Sequence, residues 1–161
     1  ERCEMVEGEP VCIQEKISTC WAIGGPHYRT FDGKSFDFMG TCTYTLTKTC
    51  GTDPSLPIFS VVIRNGHRGN PKVPYIDTVT VQVYDVTVAV VRSEDGFVRV
   101  NNHRSRLPIS LAQGKLQLQQ KGKFLLVKTA FMLMVLYDWD DHLVVKIPGA
   151  LSGKVCGLCG N

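Results

Sequence analysis

The sequence predicts an all-β protein, an antiparallel β-sandwich of roughly eleven short strands stapled by disulfides between its ends. Three observations carry that expectation. Val, Thr and Ile together number 39 against five Ala, a balance that suits pleated sheet and disfavours a helical bundle. Period-2 alternation recurs in short segments separated by Gly, Pro and Asp-Gly signals, and no segment of ten or more residues reads at helical period. All seven cysteines lie near the two ends, with none in the 105 residues between Cys50 and Cys156.

Residues 1–19 stand apart. They hold five Glu and two Cys without a period-2 pattern, and Gly8-Glu9-Pro10 reads as a turn between Cys3 and Cys12. This segment reads as the tail of a small cysteine-rich module with a Cys3–Cys12 bridge. From Cys20 onward strands and turns alternate. His27–Asp32 and Ser35–Phe38 flank an Asp32-Gly33-Lys34 turn, a strong hairpin signal. Thr41–Lys48 alternates Tyr44 and Leu46 with Thr43, Thr45 and Thr47. Ile58–Arg64 follows a Pro-bounded loop, and Asn65–Pro74 reads as a long polar loop. Thr78–Tyr84 sets Val79, Val81 and Val83 on one side, and Val86–Val91 is apolar enough to be central. Glu94-Asp95-Gly96 turns into Phe97–Val100. Lys115–Gln119 and Phe124–Thr129 are separated by Gly122, and Asp138–Asp141 turns Phe131–Tyr137 into Leu143–Ile147.

Composition bounds the function. At 161 residues, 43% hydrophobic and 20% charged, the chain has the length of one domain and the apolar content of a real core. A net charge of +3 is low for a dedicated nucleic-acid binder. No apolar run approaches the ~18 residues that span a membrane. The polar start, Glu1-Arg2-Cys3-Glu4, lacks a signal-peptide pattern, so the chain reads as cut from the interior of a longer one. Asn-x-Ser/Thr sequons and internal repeats are absent.

Cysteines grouped at two ends point to extracellular or secretory-lumen disulfides that join those ends. A bridge across more than a hundred residues stabilises by up to ~5 kcal/mol in the chain-entropy treatment. Seven is odd, so one cysteine is expected to pair outside the chain. A zinc site built from Cys156, Cys159, Cys42 and Cys50 is disfavoured: the second pair is not closely spaced, and the outer cysteines would be left over.

The segments Cys20-Trp21-Ala22-Ile23-Gly24-Gly25-Pro26-His27-Tyr28-Arg29-Thr30-Phe31-Asp32-Gly33, Phe36-Asp37-Phe38-Met39-Gly40-Thr41-Cys42-Thr43-Tyr44 and Lys154-Val155-Cys156-Gly157-Leu158-Cys159-Gly160-Asn161 together resemble the two ends of a von Willebrand factor type D domain. The resemblance covers residues 20–161 and is nearest to the repeated D domains of large secreted mucus-type glycoproteins. It implies the bridges Cys20–Cys159 and Cys50–Cys156, with Cys42 paired to a following module. It implies that residues 1–19 belong to a trypsin-inhibitor-like or E module. It also implies a calcium site after the last motif, with Asp32 giving a carboxylate and Asn161 a carbonyl. Calcium takes six to eight oxygens, so with the remaining ligands beyond Asn161, weak or absent binding is expected for this chain alone. Many such domains carry Gly-Asp-Pro-His, whose Asp-Pro bond breaks autocatalytically. Here Gly24, Gly25, Pro26 and His27 form a degenerate motif without the attacking carboxylate, so no cleavage is expected.

Other groups favour bland readings. Cys156-Gly-Leu-Cys159 has redox spacing but no following helix, so two structural bridges are preferred to thiol exchange. Asp138, Asp140, Asp141 and His142 fall where a hairpin turn is needed. His27 is expected to be buried and hydrogen-bonded. Gly24-Gly25-Pro26 lacks the helix and Lys of a phosphate loop, and the Ser residues lack a nucleophile-elbow setting. Basic residues at Arg64, His67, Arg68 and Lys72, and at Arg99, His103, Arg104 and Arg106, would read anions only if their loops meet. The expected role is a non-catalytic structural and interaction module, secreted into mucus. Its partners would be neighbouring modules and mucins or other mucus proteins, with no nucleic acid and no membrane insertion. A cell-adhesion module and thiol exchange at Cys156/Cys159 are the alternatives.

Overall fold

The valines at 79, 81 and 83 and those at 88 and 90 face one another across a strand pair and are almost wholly buried. They form part of the inner face of one sheet, because side chains two apart on a strand share a face. The structure is a computed structural model describing residues 2–13, 16–24, 26–68 and 73–160. Among these it is all-β and antiparallel, with two 3₁₀ turns at Ala112–Gly114 and Gly149–Leu151.

In chain order the strands are β1 (Arg2–Val6), β2 (Glu9–Ile13), β3 (Ile17–Ile23), β4 (His27–Arg29), β5 (Ser35–Asp37), β6 (Thr43–Thr49), β7 (Phe59–Arg68), β8 (Val73–Val83) and β9 (Val86–Val91). They continue with β10 (Phe97–Val100), β11 (His103–Arg106), β12 (Ile109–Leu111), β13 (Leu116–Lys121), β14 (Phe124–Thr129), β15 (Met134–Tyr137), β16 (His142–Pro148) and β17 (Val155–Cys156). One sheet has the order β11-β10-β9-β8-β7-β6-β17 and the other β12-β13-β14-β15-β16-β3-β4-β5, while β1 and β2 form a separate hairpin. Leu116, Leu118, Leu125, Val127, Val135, Tyr137, Leu143, Val145 and Ile147 from the eight-stranded sheet meet the valines of the seven-stranded sheet in one core. The Tyr137 hydroxyl crosses that core and donates to the Ile76 carbonyl at 2.9 Å, which satisfies a polar tip in an apolar interior.

Six strands exceed the expected eleven: β1, β2, β3, β11, β12 and β17. Five of them are short or polar, and β3 mixes polar and apolar residues on both faces, so period-2 reading passes over them. The Asn65–Pro74 loop is corrected. Strands β7 and β8 run into it, with Asn65 opposite Ile76 and Gly66 opposite Tyr75 beyond a bulge at Arg64/Asn65. Ladder hydrogen bonds are made by backbone, so polar side chains do not stop a strand that keeps its partner. A second bulge, between Thr45 and Thr47, breaks the expected alternation of β6: Leu46 and Thr47 are both buried, and Tyr44 is half-buried. The expected strand at Phe131 begins only at Met134, because Thr129 to Leu133 closes a turn in which Met132 has φ +70°.

Candidate functional site

The β4–β5 turn folds against the last residues of the chain. The Phe31 amide donates to the Cys159 carbonyl at 2.9 Å. The Leu158 and Cys159 amides donate to the Thr45 and Leu46 carbonyls at 3.1 and 2.9 Å, so Cys156-Gly-Leu-Cys159 lies along β6. Gly157 has φ +126°, and a Cβ there would fall 2.6 Å from the Leu46 carbonyl oxygen. Only glycine fits that approach.

Two bridges fix this arrangement. Cys20 on β3 joins Cys159, and Cys50 joins Cys156, with Cα atoms 5.7 Å apart in each. Cys156 and Cys159 are therefore each committed to a distant partner, which leaves no C-x2-C dithiol for exchange. Cys3 and Cys12 stand opposite each other in the β1–β2 hairpin and are bridged. Cys42 is exposed and, among the described residues, is the cysteine outside a disulfide.

The loop carrying Cys42 is held on both sides. Its amide donates to the Tyr44 hydroxyl at 3.2 Å, and its carbonyl accepts from the Asn65 amide at 3.0 Å. Buried Asn65 also donates through Nδ2 to the Gly40 carbonyl at 3.1 Å and the Tyr28 hydroxyl at 3.3 Å. Tyr28, Phe36, Phe38 and Tyr44 pack ring on ring beneath. Gly40 has no room for a side chain, since a Cβ there would meet the Tyr44 hydroxyl at 2.1 Å. Sequence reasoning missed Asn65, Gly40 and this aromatic cluster. Gly40 and Tyr44 lie inside the motif around Cys42, but Asn65 is distant in sequence and carried no signal.

Asp32 is exposed at the tip of the β4–β5 turn and accepts a short hydrogen bond from the Thr30 hydroxyl. That bond, more than any other influence, holds its carboxyl below the usual range. Gly160 lies beside it: a Cβ there would be 3.9 Å from the Asp32 Oδ1 and 3.8 Å from the Thr30 Cβ. The structure thus brings Asp32 to the end of the last motif, while Asn161 lies outside the described residues. One exposed carboxylate is a small part of a calcium shell.

Gly25 also lies outside the described residues. Around it, the Gly24 amide donates to the Asp141 carbonyl at 2.9 Å, and the Pro26 carbonyl accepts from Phe38 at 2.8 Å. His27 is corrected: its side chain is 59% exposed, and its Nδ1 meets the Asp37 Oδ1 at 2.9 Å. It sits on the outer face of β4, opposite Asp37 on β5. Asp138, Asp141 and His142 do gather, with candidate ligand atoms within 4.8 Å of one another. Their bonds are those of a turn. The Asp138 Oδ1 accepts the amides of Asp140 and His142 at 2.9 and 3.0 Å, and the His142 Nδ1 meets the Asp141 Oδ1 at 2.7 Å.

The basic segments lie on strands instead of loops. Arg64 is on β7 and Arg99 on β10, with β8 and β9 between them. Arg99 donates to Glu94 at 2.7 Å and lies opposite Arg104, whose guanidinium covers the Phe97 ring at 4.0 Å. Arg99's hydrogen bond is the main reason the Glu94 carboxyl stays below its usual range. The side chains of His67 and Arg68, and Lys72 as a whole, lie outside the described residues.

A family model for the von Willebrand factor type D domain matches residues 20–161. The chain is 47% identical to human IgGFc-binding protein over 161 residues, all of this chain and 3% of that protein. It is 40% identical to human zonadhesin over 162 residues, all of this chain and 6% of that protein. It is 38% identical to mouse alpha-tectorin over 150 residues, 93% of this chain and 7% of that protein. The chain thus spans only a small part of the relatives it matches.

Proposed function

The chain belongs to the von Willebrand factor type D domain family, and from that premise we propose that it is a non-catalytic structural and interaction module of a large secreted, mucus-type glycoprotein. The observation that carries this reading is the end-to-end closure of the sandwich by Cys20–Cys159 and Cys50–Cys156, with Cys42 left exposed. Disulfides of this kind persist in oxidising compartments. Closure places residues 20 and 159 side by side, so the chain enters and leaves the sandwich beside one bridge. Cys42 is presented on a braced loop as the attachment for a following module, and the surfaces of the sandwich meet neighbouring modules, mucins or other mucus proteins. No helix among the described residues is long and apolar enough to cross a membrane.

Calcium belongs to the same reading. Asp32 would hold it from the β4–β5 turn, with Thr30 fixing the carboxylate and further oxygens coming from Asn161 and the chain after it. The ion would lock the turn to the last motif. Gly25 has no carboxylate with which to attack its own carbonyl, so the bond to Pro26 stays whole.

The deciding experiment is thiol labelling followed by non-reducing peptide mapping. The expected result is Cys3–Cys12, Cys20–Cys159 and Cys50–Cys156 intact with Cys42 labelled. Label on Cys156 and Cys159, or a bridge between them, would overturn the reading in favour of thiol exchange. Two disulfide-joined fragments cut at Gly25–Pro26 would overturn the cleavage statement. Terbium luminescence in the longer protein, lost in Asp32→Ala, tests calcium. Tissue of expression separates the mucus role from a cell-adhesion one.

A further inference from the structure

The turn between β15 and β16 holds more ligand chemistry than a turn uses. Asp138 closes it through one oxygen, Oδ1, which accepts the Asp140 and His142 amides. Among the described residues its Oδ2 accepts no hydrogen bond and lies 3.5 Å from the His142 Nδ1. The Asp138 side chain is only 6% exposed, so water does little for that oxygen, and a buried charge without a partner is costly. The same Nδ1 is 2.7 Å from the Asp141 Oδ1. An imidazole nitrogen carries at most one hydrogen, and the shorter contact takes it. A buried carboxylate oxygen is thus left over, close to a second carboxylate and an imidazole nitrogen, and ligand atoms from all three side chains lie within 4.8 Å of one another.

The turn is fixed from outside the cluster. Trp139 is buried and donates through Nε1 to the Phe97 carbonyl. Arg92 holds Asp140 at 2.8 Å, and the Gly24 amide holds the Asp141 carbonyl. Asp138, Asp141 and His142 are therefore brought together by packing that does not depend on their own side chains. Their separations suit a small tetrahedral ion: with bonds of about 2.0–2.2 Å, zinc sets neighbouring ligand atoms roughly 3.4 Å apart. Calcium and magnesium take oxygen ligands, whereas one imidazole with two carboxylates suits zinc. His142 and Asp141, 37% and 42% exposed, leave the solvent side open.

We propose that Asp138, Asp141 and His142 form a zinc site. The Asp138 Oδ2, a carboxylate oxygen of Asp141 and the His142 Nδ1 are the protein ligands, and water is the fourth. The imidazole binds with its hydrogen on Nε2, so Nδ1 offers its lone pair to the ion, and the ion gives the leftover Asp138 oxygen its partner. The site is distinct from Asp32, which lies on the β4–β5 turn, and does not depend on calcium there.

The test is isothermal titration of zinc chloride into the oxidised 161-residue chain carrying Cys42→Ser, which removes the free thiol as a competing ligand. One zinc per chain is expected, undisturbed by excess calcium. Losing a ligand should cost at least as much as losing an outer-shell partner, so His142→Gln and Asp141→Asn should each weaken binding about tenfold or more. Asp138→Asn should do the same while keeping an oxygen for the turn amides, and unchanged Trp139 emission shows that the turn survives in each variant. His27→Gln should leave binding intact, because the His27–Asp37 pair offers only two ligands. Absence of binding up to about 100 μM zinc overturns the proposal. Binding that survives His142→Gln, or that disappears with His27→Gln, also overturns it, since it would belong to another surface histidine. Displacement of zinc by calcium overturns it too, because the shell would then be one of oxygens alone.

Discussion

Removing the outer staple by Cys20→Ala/Cys159→Ala is the sharpest perturbation of this architecture. Cys20–Cys159 spans 139 residues and Cys50–Cys156 spans 106. Acting alone, a bridge of the longer span would reduce the entropy of the unfolded chain by about 5 kcal/mol. The two bridges are nested, however. With the inner one in place, the outer one closes only the 33 residues by which its span exceeds the inner span. The same entropy relation then gives about 4 kcal/mol. Both sulfurs are buried, with Cys20 at 1% and Cys159 at 0% exposure, so truncation adds about 1–2 kcal/mol of lost packing. The expected loss is therefore about 5–6 kcal/mol, much of the stability of an ordinary domain. Guanidinium unfolding followed through buried Trp139, whose Nε1 donates to the Phe97 carbonyl at 3.1 Å, measures it. Removing the inner bridge as well should cost about 1 kcal/mol more than removing the first did, because the remaining loop is no longer short. A first loss below about 1 kcal/mol would refute the argument, since it would mean that the β-sheet ladders hold the ends without the staple.

Other consequences are open to direct measurement. Gly157→Ala should destabilise by about 2–3 kcal/mol, because its Cβ would meet the Leu46 carbonyl in a left-handed backbone; chemical denaturation would show it, and an unchanged midpoint would contradict the packing of the last motif on β6. Thr47→Val should stabilise by about 1 kcal/mol, since the buried Thr47 hydroxyl lacks a hydrogen-bond partner; a loss of stability would mean that the hydroxyl is satisfied. Burial raises the Tyr137 hydroxyl well above its ordinary range and also raises Tyr28. Both groups bind their protons more tightly folded than unfolded, so their contribution is complete below about pH 10 and is lost as pH rises through the folded values. Melting temperature should therefore fall steeply above that pH, and less so in Tyr137→Phe; a flat alkaline profile would refute it.

What the sequence made legible, and what it hid, divide along physical lines. Val79, Val81 and Val83 announce a strand because burial of one face writes itself as alternation. The Asp-Gly turn at Asp32-Gly33 is equally readable, since turn chemistry is local. Asn65 is hidden for the opposite reason. It sits beyond a bulge, in a segment polar enough to pass for loop, and its partners Tyr28 and Gly40 are brought to it only by the folded sandwich. The bulge in β6 likewise turns Thr47 inward against the apparent period. His27 misleads because a three-residue strand has no pattern from which to read its faces. The basic residues show the limit of charge counting: Arg99 and Arg104 cluster in sequence, yet Glu94 and Phe97 occupy them in space.

The staple also decides how the chain carries tension. Pull on the backbone before residue 20 and after residue 159, and the load passes through one covalent S–S link. The Cα–Cα step across that link is 5.7 Å, whereas the enclosed chain, drawn out, would measure roughly 480 Å. The sheets are therefore wired in parallel with a stiff shunt and contribute no slack. A filament strung from such units under shear would keep its length and its folded surfaces until that disulfide is reduced; the Cys50–Cys156 bridge would then still shunt 106 residues, so only the 33 residues outside it, about 110 Å of contour, would be released first.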